Sequence, residues 1–115
     1  MLITKSQVAY LGNLLHEVLT GFSVSDFDTR LGAPQKIVEL LCNKLDDLYI
    51  DGIDGVPQEI VLSAVEALIL RNAFSLCMEK LSPGEFTVRL GKSPEATQRF
   101  LQQFEPLMEI PVSRH

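Results

Sequence analysis

Apolar residues recur every three or four positions from Val8 onward, with Val8, Leu11, Leu15, Val18 and Phe22 on one stripe of a helix. Thr4 and Gln7 have capping-box spacing, so the pattern predicts a helix from Thr4 to about Thr20, closed by a left-handed Gly21. Phe27 and Leu31 then lie one turn apart ahead of Gly32, which predicts a short second helix. Pro34 suits the first position of a third helix, where its missing N–H is no loss. That helix carries Ile37, Leu40, Leu41, Leu45 and Leu48 inward and ends between Asp47 and Ile50. Two Asp-Gly dipeptides in LYIDGIDGVP then mark a connector, with room for a tiny hairpin around Asp51-Gly52.

From Pro57 to Lys80 the apolar residues spread nearly all round, which predicts the longest and most buried helix. Its polar residues change sides, with Glu59, Ser63 and Glu66 on one face and Arg71, Ser75 and Glu79 on a nearly opposite one. Leu62, Ile69 and Leu76 recur at seven-residue spacing beside Val65 and Leu68. Such an excess of apolar surface predicts a homodimer with two-fold symmetry. Ser82, Pro83 and Glu85 cap a further short helix, although the alternation of Phe86, Val88 and Leu90 would also suit a strand. Ser93 and Pro94 open the last helix, with Phe100, Leu101 and Phe104 as its apolar set. Pro106 ends it, and EIPVSRH reads as a frayed tail.

The segment FDTRLGAP returns as FTVRLGKSP. Phe27, Arg30, Leu31 and Gly32 match Phe86, Arg89, Leu90 and Gly91 at an offset of 59, and Pro34 matches Pro94 after one inserted residue. The expected architecture is an all-α, single-domain helical bundle over residues 1–115. It consists of two tandem copies of a long helix–short helix–helix unit, at about 4–50 and 61–110.

Composition narrows the function classes. At 115 residues, with 46% hydrophobic and 22% charged, the chain can bury one core without metal or disulfide support. A net charge of −5 lacks the basic footprint of a nucleic-acid binder and admits a basic protein partner. No signal peptide opens the chain, and no apolar run reaches bilayer-spanning length. Cys42 and Cys77 sit inside apolar helical patterns, as buried free thiols do, and a reducing cytoplasmic location is expected.

Five residues stand out as candidate interaction residues. Arg30 and Arg89 occupy the same place in both copies and could clamp an anion. Asp26 and Glu85, each four residues earlier, offer both a simple intrahelical ion-pair role. Asp47, Asp51 and Asp54 belong to the densest acidic stretch. A calcium loop counted from Asp47 fails, because Tyr49 falls at its third position and Gln58 at its twelfth. His16 has no second His or Cys at ligand spacing nearby. No catalytic motif is present, so neither enzyme activity nor any cofactor or metal is expected.

The echo also resembles the helix-turn-helix of DNA-binding repressors: an apolar residue, three residues, Leu-Gly, then a helix start with Pro. Phe27, Leu31, Gly32, Val38 and Leu41 fall on that pattern in the first copy, and Phe86, Leu90, Gly91 and Phe100 in the second. Asp28 and Thr87 stand where the motif wants a small buried residue. The would-be recognition helix carries Glu39, Asp46 and Asp47 against Lys36 and Lys44. The resemblance implies a DNA-binding regulator. The remaining features favour a small acidic cytoplasmic protein that acts as an interaction or regulatory module without catalysis.

Overall fold

A computed structural model describes residues 2–103. Its elements are β1 (Leu2–Ile3), α1 (Lys5–His16), α2 (Phe27–Leu31), α3 (Gln35–Asp51), β2 (Gln58–Glu59), α4 (Ala64–Lys80), α5 (Pro83–Leu90) and α6 (Pro94–Gln102). A π-helical turn, Glu17–Gly21, extends α1. The order of long helix, short helix, helix therefore occurs twice.

Side-chain caps fix most helix starts. Thr4, Ser63 and Ser82 each accept from the backbone N–H three residues on, and Gln7, Glu66 and Glu85 reach back to the cap N–H. Ser93 caps α6, with Pro94 at its first position. Gly32 and Gly91 end α2 and α5 in the left-handed conformation, both at φ 84°. Asn72 donates its side-chain N–H to the Leu31 carbonyl at 3.0 Å, satisfying the end of α2.

The core lies between α1, α3 and α4. α1 packs most extensively on α3 and crosses α4, α2 rests on α4, and α5 and α6 close the other side. Leu11, Leu14 and Leu15 of α1 meet Leu41 and Leu45 of α3, and Ile69, Leu70, Ala73, Leu76 and Cys77 of α4. Phe86 is fully buried, with its ring edge-on to Phe74 at 5.8 Å. Burying one such ring contributes about 1.5–3 kcal/mol.

Several expectations are corrected. The central helix begins at Ala64, because the Ser63–Glu66 capping box sets its start. Pro57 lies in an extended lead-in whose Gln58 and Glu59 pair antiparallel with Ile3 and Leu2. No hairpin forms at Asp51-Gly52, since α3 runs on through Asp51. Pro34 caps α3 rather than occupying its first helical position. Gly21 is not left-handed; it closes the π turn, in which Phe22 N–H reaches the Glu17 carbonyl at 3.3 Å. Leu40 is 54% exposed, Ile37 is also exposed, and the inward residues of α3 are Val38, Leu41, Cys42 and Leu45. Residues 86–90 are helical. Leu62, Ile69 and Leu76 are buried within the chain itself, while Val65 beside them is 51% exposed. Phe104, Pro106 and the tail lie outside the described residues.

Candidate functional site

The close packing of α1 on α3 brings together three side chains that are far apart in sequence. Cys42 and Asp46 are four residues apart and share one face of α3. His16, the last residue of α1, lies against them. Its Nε2 is 3.5 Å from Cys42 Sγ and 3.8 Å from Asp46 Oδ1, and its Nδ1 is 4.0 Å from Sγ. All three donor groups lie within 4.8 Å of one another. Cys42 is buried, while the His16 and Asp46 side chains are 53% and 48% exposed, so the cluster opens to solvent on one side. A cavity of about 270 Å³ adjoins it, lined by residues that include Gly12, Asn13, Leu45 and Tyr49. Burial, helped by the Asp46 carboxylate, pushes the Cys42 thiol up to about 11. Without a ligand it is therefore protonated at neutral pH.

Gly12 of α1 faces the cluster, and a Cβ there would make only ordinary van der Waals contact with Asp46 Oδ1, at 3.9 Å. The π turn starts immediately after His16, and such turns are frequent at functional sites. Thr20 donates its hydroxyl to the His16 carbonyl at 2.9 Å.

A second feature runs along the outer side of α3. Lys44, Asp47, Leu48 and Asp51 of α3 face Glu59, Ile60 and Val61 across a groove of about 510 Å³. Lys44 donates to the Val61 carbonyl at 2.6 Å and to both Glu66 carboxylate oxygens, at 3.0 and 3.3 Å. Burial works against the Glu66 carboxylate, but the Ser63 N–H and the Lys44 ammonium overcome it and hold its pKa below the usual range. With the lysine charge matched in this way, Asp47 and Asp51 give the groove a negative rim. Val61 is 74% exposed, and Leu40 and Val65 are also exposed nearby in sequence.

The five candidate interaction residues are thus separated. Asp47 and Asp51 line the groove. Asp54 lines a different cavity, with Lys5, Tyr10, Tyr49 and Lys92. Arg30 pairs with Glu79 of α4, and Arg89 pairs with Glu17 of the π turn at 2.7 Å. Asp26 is the left-handed N-cap of α2, while Glu85, held in the Ser82 capping box, still feels the Arg89 charge, which helps keep its pKa below the usual range.

The His16–Cys42–Asp46 cluster is not visible as a motif, because 26 residues separate His16 from Cys42. The i, i+4 spacing of Cys42 and Asp46 is its one local signal. Among known proteins, no family model, curated protein or solved structure matches the chain. No helix among the described residues is long and apolar enough to cross a membrane.

Proposed function

We propose that this protein is a non-catalytic interaction module that docks a basic, amphipathic segment of a partner protein in the groove between α3 and residues 59–61. The groove itself carries this reading: an apolar floor of Leu48, Ile60 and Val61 beneath a negative rim of Asp47 and Asp51. Apolar contact supplies affinity in such a groove, and the charged rim chooses the partner and speeds the encounter. A basic segment complements the charge of that rim, whereas a second copy of this chain carries a net charge of −5.

The test uses two helical peptides with the same apolar face, one lysine-rich and one glutamate-rich, titrated into isotope-labelled protein. The expected result is amide shift changes at Leu48, Ile60 and Val61 with the basic peptide alone, weakened several-fold in Asp47→Asn/Asp51→Asn. Equal response to both peptides, or none, overturns the proposal. A DNA-binding regulator would instead bind heparin in a salt-sensitive way, through residues near Pro34 or Pro94.

We also propose that the two halves are copies of one unit. Supporting this are the shared element order, the two left-handed glycines of equal φ, and the exchange of arginine ion pairs between halves. A rotation near 180° should lay residues 4–50 on 61–110, and an unrelated arrangement of the two segments refutes duplication.

A further inference from the structure

Two distances from His16 Nε2 in the His16–Cys42–Asp46 cluster come close to those between ligands of a tetrahedral metal ion, and all three donor atoms lie within 4.8 Å of one another. With Zn–S of about 2.3 Å, Zn–N of about 2.05 Å and a tetrahedral angle, sulfur and nitrogen lie about 3.5 Å apart. The observed Sγ···Nε2 separation is 3.5 Å. Nitrogen and carboxylate oxygen around the same ion lie about 3.4 Å apart. The observed Nε2···Oδ1 separation is 3.8 Å, and a small rotation of the half-exposed Asp46 carboxyl closes the difference. We propose that His16, Cys42 and Asp46 bind a divalent zinc-type metal ion through Nε2, Sγ and Oδ1.

The donor chemistry selects the class of ion. One thiolate, one imidazole and one carboxylate suit zinc and its cobalt surrogate. Calcium and magnesium require oxygen ligands throughout. Nε2 is the histidine ligand, because it is the ring nitrogen nearer Sγ and lies beside Oδ1, leaving the proton on Nδ1. Binding converts the Cys42 thiol to a thiolate and releases its proton to solvent while the metal–sulfur bond forms. Three protein ligands leave a fourth position open. The 270 Å³ cavity beside the cluster admits water or a small anion to that position.

The competing account is a plain contact between a thiol and an imidazole, with Asp46 as an ion-pair partner of protonated His16. It needs no metal and predicts no stoichiometric uptake. The two accounts separate in a titration of the reduced full-length protein with Co²⁺, followed by displacement with Zn²⁺. The expected result is one Co²⁺ per chain, with a near-ultraviolet thiolate-to-cobalt charge-transfer band and visible bands of four-coordinate intensity, all lost on adding Zn²⁺. Cys42→Ser should abolish the charge-transfer band. His16→Gln and Asp46→Asn, both at half-exposed positions that leave the core intact, should weaken binding at least tenfold. Cys77→Ser and His115→Gln should bind as the parent does. Absence of a band at equimolar cobalt overturns the site. So does a band that survives Cys42→Ser, or affinity unchanged in both His16→Gln and Asp46→Asn.

Discussion

Arg89 Nη2 lies 2.7 Å from Glu17 Oε1, joining α5 to the π-helical end of α1. Its counterpart in the echo, Arg30, joins α2 to Glu79 near the end of α4. Each arginine thus reaches from the short helix of its own half to the long helix of the other half. The two pairs differ in burial: the Glu17 side chain is 16% exposed and Glu79 is 53% exposed. Removing Arg89 leaves a largely buried carboxylate without its cation, whereas Glu79 rehydrates. Arg89→Ala should cost about 1–2 kcal/mol and Arg30→Ala about 0–0.5 kcal/mol. Urea denaturation of the two variants checks this, and equal losses would show the two pairs to be equivalent.

Tyr10 and Thr97 form a second link, between α1 and α6. The Thr97 hydroxyl already donates to the Ser93 carbonyl at 2.9 Å, so the buried Tyr10 hydroxyl must donate to Thr97. Tyr10→Phe keeps the ring and its edge contact with Phe100 while removing that donor. A loss of about 1 kcal/mol is expected. Amide exchange should quicken in α6 more than in α3, and uniform quickening would mean that Tyr10 supports the whole core instead.

The glycines of α5 give opposite expectations. A Cβ at Gly84 would meet nothing within 4 Å, and its φ is not positive, so Gly84→Ala should raise stability by about 0.5–1 kcal/mol. Gly91 has the same open surroundings but a φ of +84°. Gly91→Ala should therefore lower stability by about 1–2 kcal/mol through backbone strain alone. Thermal denaturation of the pair distinguishes conformation from packing.

Cys77 links stability to alkaline pH. Burial, followed by the nearby Glu17 charge, pushes its thiol up to about 12, against a partly opposing effect of Arg89. A folded-state pKa raised above the unfolded value of 9.0 means the full contribution is present below pH 9. It is lost as pH climbs toward 12, because the unfolded chain releases its proton first. Cys77 alone should lower stability by about 1.4 kcal/mol per pH unit in this window, and the Cys42 thiol, raised to about 11, adds a similar slope up to that pH. Cys77→Ala should cut the slope by about half even if it is less stable throughout. Urea midpoints at pH 8, 9.5 and 10.5 measure it, and an unchanged slope would place the titration elsewhere.

Most of the fold could be read from local signals. The Thr4 and Ser82 capping boxes, the Ser93 cap and the Gly32 and Gly91 terminators act within a turn of themselves, so sequence spacing exposes them. The start of α4 was hidden because an apolar run from Ile60 to Leu62 is compatible with helix or extended chain. The competing Ser63 cap and the distant partner Leu2–Ile3 decided it. Ile37 and Leu40 have helical spacing but face outward, because the α3 stripe that meets α1 is centred on Val38, Leu41 and Leu45. The metal-like cluster was illegible for a related reason. Ligand spacing along a chain shows only sites built from one segment, and here His16 comes from a helix that packs on α3 rather than preceding it directly.

The pairing of Leu2–Ile3 with Gln58–Glu59 closes a loop of more than fifty residues around the whole first half of the chain. Closing a loop of that length costs about 3–4 kcal/mol in chain entropy, more than a two-residue ribbon returns by itself. The ribbon can therefore close only after α1, α3 and α4 have already brought its ends together. In the order of folding events it comes late, and on warming it should be the first part to open, releasing the lead-in to α4 while the helical core is still intact.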